Sequence, residues 1–341
     1  MSAIHQLLAG SAAPVPTSFI FMGSDTSTYI HAWGWTPGGG AGTKYSNPAT
    51  LPAGVGNGVA VNAALNLVAV AHDTTPFVSV YPWSGQGGFG TKYSNPATLP
   101  AGNGKGVAFS PSGADIAVAH TTTPFISVYP WSGGFGTKYA DPATLPAGNG
   151  SGVAFSPSGA HIAVSHDTTP FVSVYPWSSG FGTKYADPAT LPVGNGKAVA
   201  FSPSGSDIAV CTAASPYIQV YPWSSGFGTK RANPATLPTG QANAVAFNAA
   251  GTVLAVAHIT TPFITAYPWS AGFGTKYANP ATLPTADAYG VAFHPGGDLA
   301  VAHLSTPRFS VYAWSSGFGA KYADAPSLPT ANGRGLAFVG T

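Results

Sequence analysis

Charge is what this 341-residue chain has least of: Asp, Glu, Lys and Arg make up 6% of it. Ordinary globular domains carry about 25%. Glutamate is absent, and all ten acidic residues are aspartates. The net charge of +2 leaves no electrostatic footprint for nucleic acid. One cysteine excludes a disulfide framework within the chain. That residue, Cys211, stands where other parts of the chain carry Ala71, Ala119 or Ala257, so it reads as a small buried filler. No apolar run approaches the roughly 20 residues that cross a bilayer as a helix. Met1 to Pro16 has neither a basic stretch nor a long apolar one, so no secretory signal is expected.

What the chain has in quantity is glycine (44), proline (32) and hydrophobic residues (45%). They are arranged periodically. A Y-P-W-S segment followed by G-F-G-T-K-Y recurs, marked by Trp35, Trp83, Trp131, Trp177, Trp223, Trp269 and Trp314. The spacings are 48, 48, 46, 46, 46 and 45 residues, so there are seven copies. A period in the forties, built of short apolar runs between Gly/Pro turns, is the signature of a β-propeller. In the copy spanning 106–146, apolar strands are expected at 106–109, 116–120 and 125–129, with a fourth beginning at 137. The expected fold is therefore all-β: a seven-bladed β-propeller of four-stranded antiparallel blades, over residues 18–341. The first copy lacks a first strand, and the chain closes with Gly335-Leu336-Ala337-Phe338-Val339, a first strand with nothing after it. A one-plus-three closure, in which the C-terminal strand completes the N-terminal blade, follows. Residues 1–17 fall outside the repeat and are expected to form an N-terminal arm that docks to another protein.

Two repeated features read as scaffold. Lys44, Lys92, Lys138, Lys184, Lys230, Lys276 and Lys321 lie on the expected outermost strand, where lysine blunts an exposed edge. His72, His120, His166, His258 and His303 end the second strand. Strand spacing would hold them about 10 Å apart, too far to share a metal ion, so each is expected to bond the Thr-rich turn beside it. Asp115, Asp141, Asp187 and Asp207 read as turn caps. No catalytic elbow, phosphate loop or Cys/His pairing is present. No enzyme activity, metal or cofactor is expected on this reading.

The segments G-V-A-F-S-P-S-G, I-A-V-A-H and P-F-I-S-V-Y-P-W resemble the first three strands of the WD40-like and YVTN-like β-propeller superfamily. The chain departs from WD40 repeats in lacking the Gly-His pair that opens each unit and the Trp-Asp that ends the third strand. Trp131, for example, is followed by Ser132. The repeat wording is also similar to near-identical propellers encoded among bacteriophage virion and tail genes. That resemblance implies a non-enzymatic structural or adhesion module on a phage particle. Its partners would be other virion or tail proteins and a host-surface glycan or protein. A free-standing lectin-like propeller and a WD40-type interaction scaffold are the alternatives.

In copies so alike, positions that differ point to function. Just before the first strand the copies carry Asn57, Lys105, Ser151, Lys197, Asn243, Tyr289 and Arg334. In a propeller these face the mouth of the central channel, which makes them the candidate ligand or partner face. A second varied ring follows the second strand: Asp25, Asp73, Thr121, Asp167, Ala213, Ile259 and Leu304.

Overall fold

The computed structural model describes residues 17–62, 64 and 66–340. The repeat folds into seven antiparallel sheets, one per copy. In blade 3 the strands are Gly104–Phe109, Asp115–His120 and Ile126–Pro130. Blade 1 takes its first strand, Gly333–Gly340, from the end of the chain and pairs it antiparallel with Ser18–Ser24. The register runs from Ser18 opposite Gly340 to Ser24 opposite Gly333, so the expected one-plus-three closure is present. The expected N-terminal arm, apart from Thr17, lies outside the described residues.

The expected fourth strand is regular in two blades only: Gly40–Lys44 in blade 1 and Phe318–Lys321 in blade 7. In the other five it shrinks to an isolated bridge, such as Trp131 to Phe135. Proline explains the difference. The third strand of those five blades ends in Pro82, Pro130, Pro176, Pro222 or Pro268. Blades 1 and 7 carry Gly34 and Ala313 there. An antiparallel pair at Tyr312 and Lys321 needs the N–H of the residue after the tyrosine. Proline has none. The neighbouring bond, Tyr139 N to Val128 O at 2.9 Å, does not involve that N–H and survives.

The core lies between blades rather than within them. Ala117, Ile126 and Val128 of blade 3 pack against Val153, Ile162, Val164 and Trp177 of blade 4. Six of the repeated tryptophans stand edge-on to a tyrosine of the preceding blade, as Trp131 does 5.0 Å from Tyr93; Trp269 is the exception, with Arg231 at that place. Such contacts add to the area each indole buries.

The polar partners reach beyond the turns. Each strand-end histidine has a backbone group of the Thr-rich turn beside it, Thr74, Thr122, Thr168, Thr260 or Ser305, but its side-chain partner lies elsewhere. Each bonds a hydroxyl on the third strand, seven residues on: His72 with Ser79, His120 with Ser127, His166 with Ser173, His258 with Thr265, and His303 with Ser310, at 2.8–3.1 Å. The hydroxyl stands diagonally across the adjacent strand, Ser79 being paired with Val70, within reach of the ring. Blade 1 exchanges the two positions, with Ser24 and His31 at 3.2 Å, and blade 5 substitutes Thr212 and Gln219 at 3.0 Å.

Asp115 and Asp207 are not exposed turn caps. They are buried and open the second strand. Asp115 accepts the indole N–H of Trp177 in the next blade at 3.0 Å and the hydroxyl of Tyr139 at 3.0 Å. Asp298 holds Trp35 and Tyr322 in the same way, so it ties blade 7 to blade 1. A buried carboxylate must be bonded, and the indole is the donor within reach. The outer lysines are bonded as well. Each donates to an Asn or Asp three residues on, among them Lys44 to Asn47 and Lys138 to Asp141.

Candidate functional site

Each first strand carries one extra residue. In blade 3 Gly104 faces His120 and Gly106 faces Ala119, leaving Lys105 between them as a β-bulge. The same shift places Asn57, Ser151, Lys197, Asn243 and Tyr289. In blade 1 the irregularity spans Arg334. A bulge re-aims the side chain of its extra residue, and here it turns one from every blade toward the axis. The flanking glycines make room. A Cβ on Gly104 would stand 2.3 Å from the carbonyl of Phe77, and one on Gly106 3.0 Å from Cα of Gly152 in the next blade.

All seven of these residues line one cavity of about 450 Å³ at the mouth of the channel. From the second varied ring, Thr121 and Asp167 join them; Asp25, Asp73, Ala213, Ile259 and Leu304 do not. The lining also includes Asn149, Asn195 and Gln241, which the sequence reading missed. Each stands two residues before the varied position, in what was taken for connecting chain.

The electrostatics are uneven around the ring. Burial lowers the pKa of Lys105; Asp73 opposes that shift and Arg334 reinforces it. Arg334 stacks on Tyr289, with its guanidinium 4.8 Å from the ring centre, and lies 3.6 Å from Asp25. Asp25 is itself fixed by Asn332, whose backbone and side-chain N–H groups donate at 3.0 and 2.7 Å. Arg308, where other blades have Phe or Tyr, donates to Asn332 and the Leu304 carbonyl rather than entering the cavity. Asp167 is the one carboxylate among the lining residues. It accepts the backbone and side-chain N–H groups of Asn149, both at 2.9 Å. The arrangement offers one oriented base, three cations and several neutral donors inside a concave site. Among the described residues no group of three or more His, Cys or Asp could hold a metal ion, and no helix is long and apolar enough to cross a membrane.

No family model matches the sequence, and no curated protein matches it. Solved structures do match. A periplasmic gluconolactonase from Pseudomonas aeruginosa superposes with a TM-score of 0.68 at 17% identity, over 94% of this chain and 99% of its own. A protein from Bacteroides fragilis, provisionally described as a 6-phosphogluconolactonase, gives 0.73 at 13% identity over 96% and 99%. A β-propeller domain from the fungal protein Cps50 (Swd1) gives 0.60 at 11% identity over 82% and 89%. The chain is a seven-bladed β-propeller.

At such identities the likeness establishes the fold. It also corrects the functional expectation. Three of the four propellers reported over nearly the whole of both chains are described as lactonases, two of them provisionally, which turns the reading away from a non-enzymatic phage structural or adhesion module and from its lectin-like and scaffold alternatives. The physical reason for the misreading is the shape of the varied ring. It was read as a ligand or partner face without a depth, and its half-buried side chains converge in a concavity of small-molecule size.

Proposed function

We propose that this propeller is a lactone hydrolase acting at the mouth of its channel. The observation that carries the reading is the convergence of Lys105, Lys197, Arg334 and a single carboxylate, Asp167, in one polar cavity. The full-length likeness to gluconolactonase-type propellers supports it. Lactone hydrolysis adds water to the ring carbonyl and breaks the ring C–O bond. The product is a hydroxy acid, which releases a proton on ionising. Asp167 accepts the proton of the attacking water, as a general base, and returns it to the departing ring oxygen. The cationic N–H donors hold the oxyanion of the tetrahedral intermediate and then the product carboxylate. Asn57, Asn149, Asn195, Gln241 and Asn243 supply neutral partners for the remaining oxygens of the ligand.

The test is proton release in a pH-stat at micromolar protein, with δ-gluconolactone and simple γ-lactones as substrates. Hydrolysis well above the spontaneous rate is expected for at least one. A rate indistinguishable from buffer for all of them overturns the reading.

A further inference from the structure

Directly below the polar mouth the channel changes character. A throat of about 160 Å³ is walled by Gly and Ala backbone together with Val59, Val107, Val153, Val199, Val291 and Leu336. Tyr289 lines both the mouth and the throat. The strands set this up residue by residue. The bulged residue faces the mouth, and the next two residues of the same strand wall the throat.

We propose that the throat is a subsite for an unbranched alkyl chain, and that the lactone hydrolysed here carries such a chain on its ring. This rests on the lactonase reading for the identity of the head group. The throat argument stands on the geometry alone. A ligand whose carbonyl oxygens sit among the cations has its other end over an apolar opening. Water in that opening finds few polar partners, so a hydrocarbon that displaces it gains the burial term. The walls fix the shape of the chain. A Cβ on Gly152 would already stand 3.1 Å from Cα of Ala198, and one on Gly335 2.8 Å from Cα of Gly58. Neighbouring first strands therefore approach backbone to backbone around a narrow ring, which suits a linear chain better than a branched or cyclic one. At about 30 Å³ per water-sized unit, the throat takes roughly five methylenes.

The experiment separates the throat from the catalysis. Straight-chain carboxylates from butanoate to decanoate, which present a carboxylate to the mouth and a tail to the throat, are titrated by calorimetry. Affinity is expected to rise about fourfold per methylene and to level off after about five. A branched isomer of equal carbon count should bind no better than butanoate. Ala198→Leu and Ala244→Leu each narrow the throat from a different blade. Either should flatten the series while leaving butanoate binding unchanged, with folding checked by circular dichroism. An affinity independent of chain length, or a series that both variants leave unaltered, overturns the proposal. Chain-length dependence without hydrolysis of any alkyl-substituted γ-lactone keeps the subsite and removes the lactonase reading. Hydrolysis of δ-gluconolactone alone, with a flat carboxylate series, does the reverse.

Discussion

Lowering the pH should dismantle this propeller well before its aspartates protonate. Burial pushes the pKa of His31, His72, His120, His166, His258 and His303 down to about 4. Each is at most 3% exposed and is held as a neutral ring against a hydroxyl. In the unfolded chain the same groups titrate near 6.5. The unfolded state therefore binds more protons once the pH falls below 6.5. Stability is full above that value and declines as the pH drops toward 4. At pH 5.5 one such histidine costs about 1.4 kcal/mol, and the six together about 8 kcal/mol. That is comparable with the whole stability of a typical domain, about 5–15 kcal/mol. His161 and His294, also lowered by burial, act in the same sense. Urea denaturation at pH 7.5, 6.5 and 5.5 should show the midpoint falling steeply below 6.5. Blade 5 supplies the control, since it uses Thr212 and Gln219 instead. Installing that pair as His166→Thr with Ser173→Gln should recover about 1.4 kcal/mol of the acid loss. A midpoint unchanged between pH 7.5 and 5.5, or imidazole resonances in the folded protein titrating near 6.5, would refute the reasoning.

The proline rule predicts that Ala313→Pro converts blade 7 to the three-stranded form. It should lower stability by about 1 kcal/mol for the lost bond and speed amide exchange along residues 318–321; unchanged exchange there would count against it. Asp115→Ala strands the indole N–H of Trp177 and the hydroxyl of Tyr139, and thermal unfolding should register about 1–3 kcal/mol. A surface-like effect below about 0.5 kcal/mol would contradict the assignment of Asp115 as an inter-blade tie. Removing residues 335–341 deletes most of the strand paired with Ser18–Ser24. It should abolish cooperative unfolding by calorimetry, because blade 1 then exposes an unpaired apolar face.

The fold was legible because its signal is repeated seven times, and the ring-closing strand because one copy lacked what the other end supplied. The outer strand was overread, although the necessary clue was present. Tyr-Pro-Trp in five copies against Trp33-Gly34-Trp35 and Tyr312-Ala313-Trp314 in two already separates the blades with a missing ladder donor from those without. The bulge was not legible. Lys105 between two glycines looks like the start of a strand, and only pairing with His120 and Ala119 shows that it is an extra residue. Side-chain partners that cross blades, such as Asp115 with Trp177, 62 positions apart, leave no local trace. The varied ring was found by comparing copies. Its role was misjudged because sequence variation locates a site without giving its depth.

Asp167 carries the central claim, so the decisive comparison is between the native protein and Asp167→Asn on a lactone that the native protein hydrolyses. The substitution keeps the size of the side chain, removes the base and its charge, and gives up one of the two bonds from Asn149. The account predicts that kcat/KM falls by about 10²–10⁴ while the affinity for a carboxylate product analogue holds or improves. Equal hydrolysis by both proteins, or no hydrolysis by the native one, would contradict it.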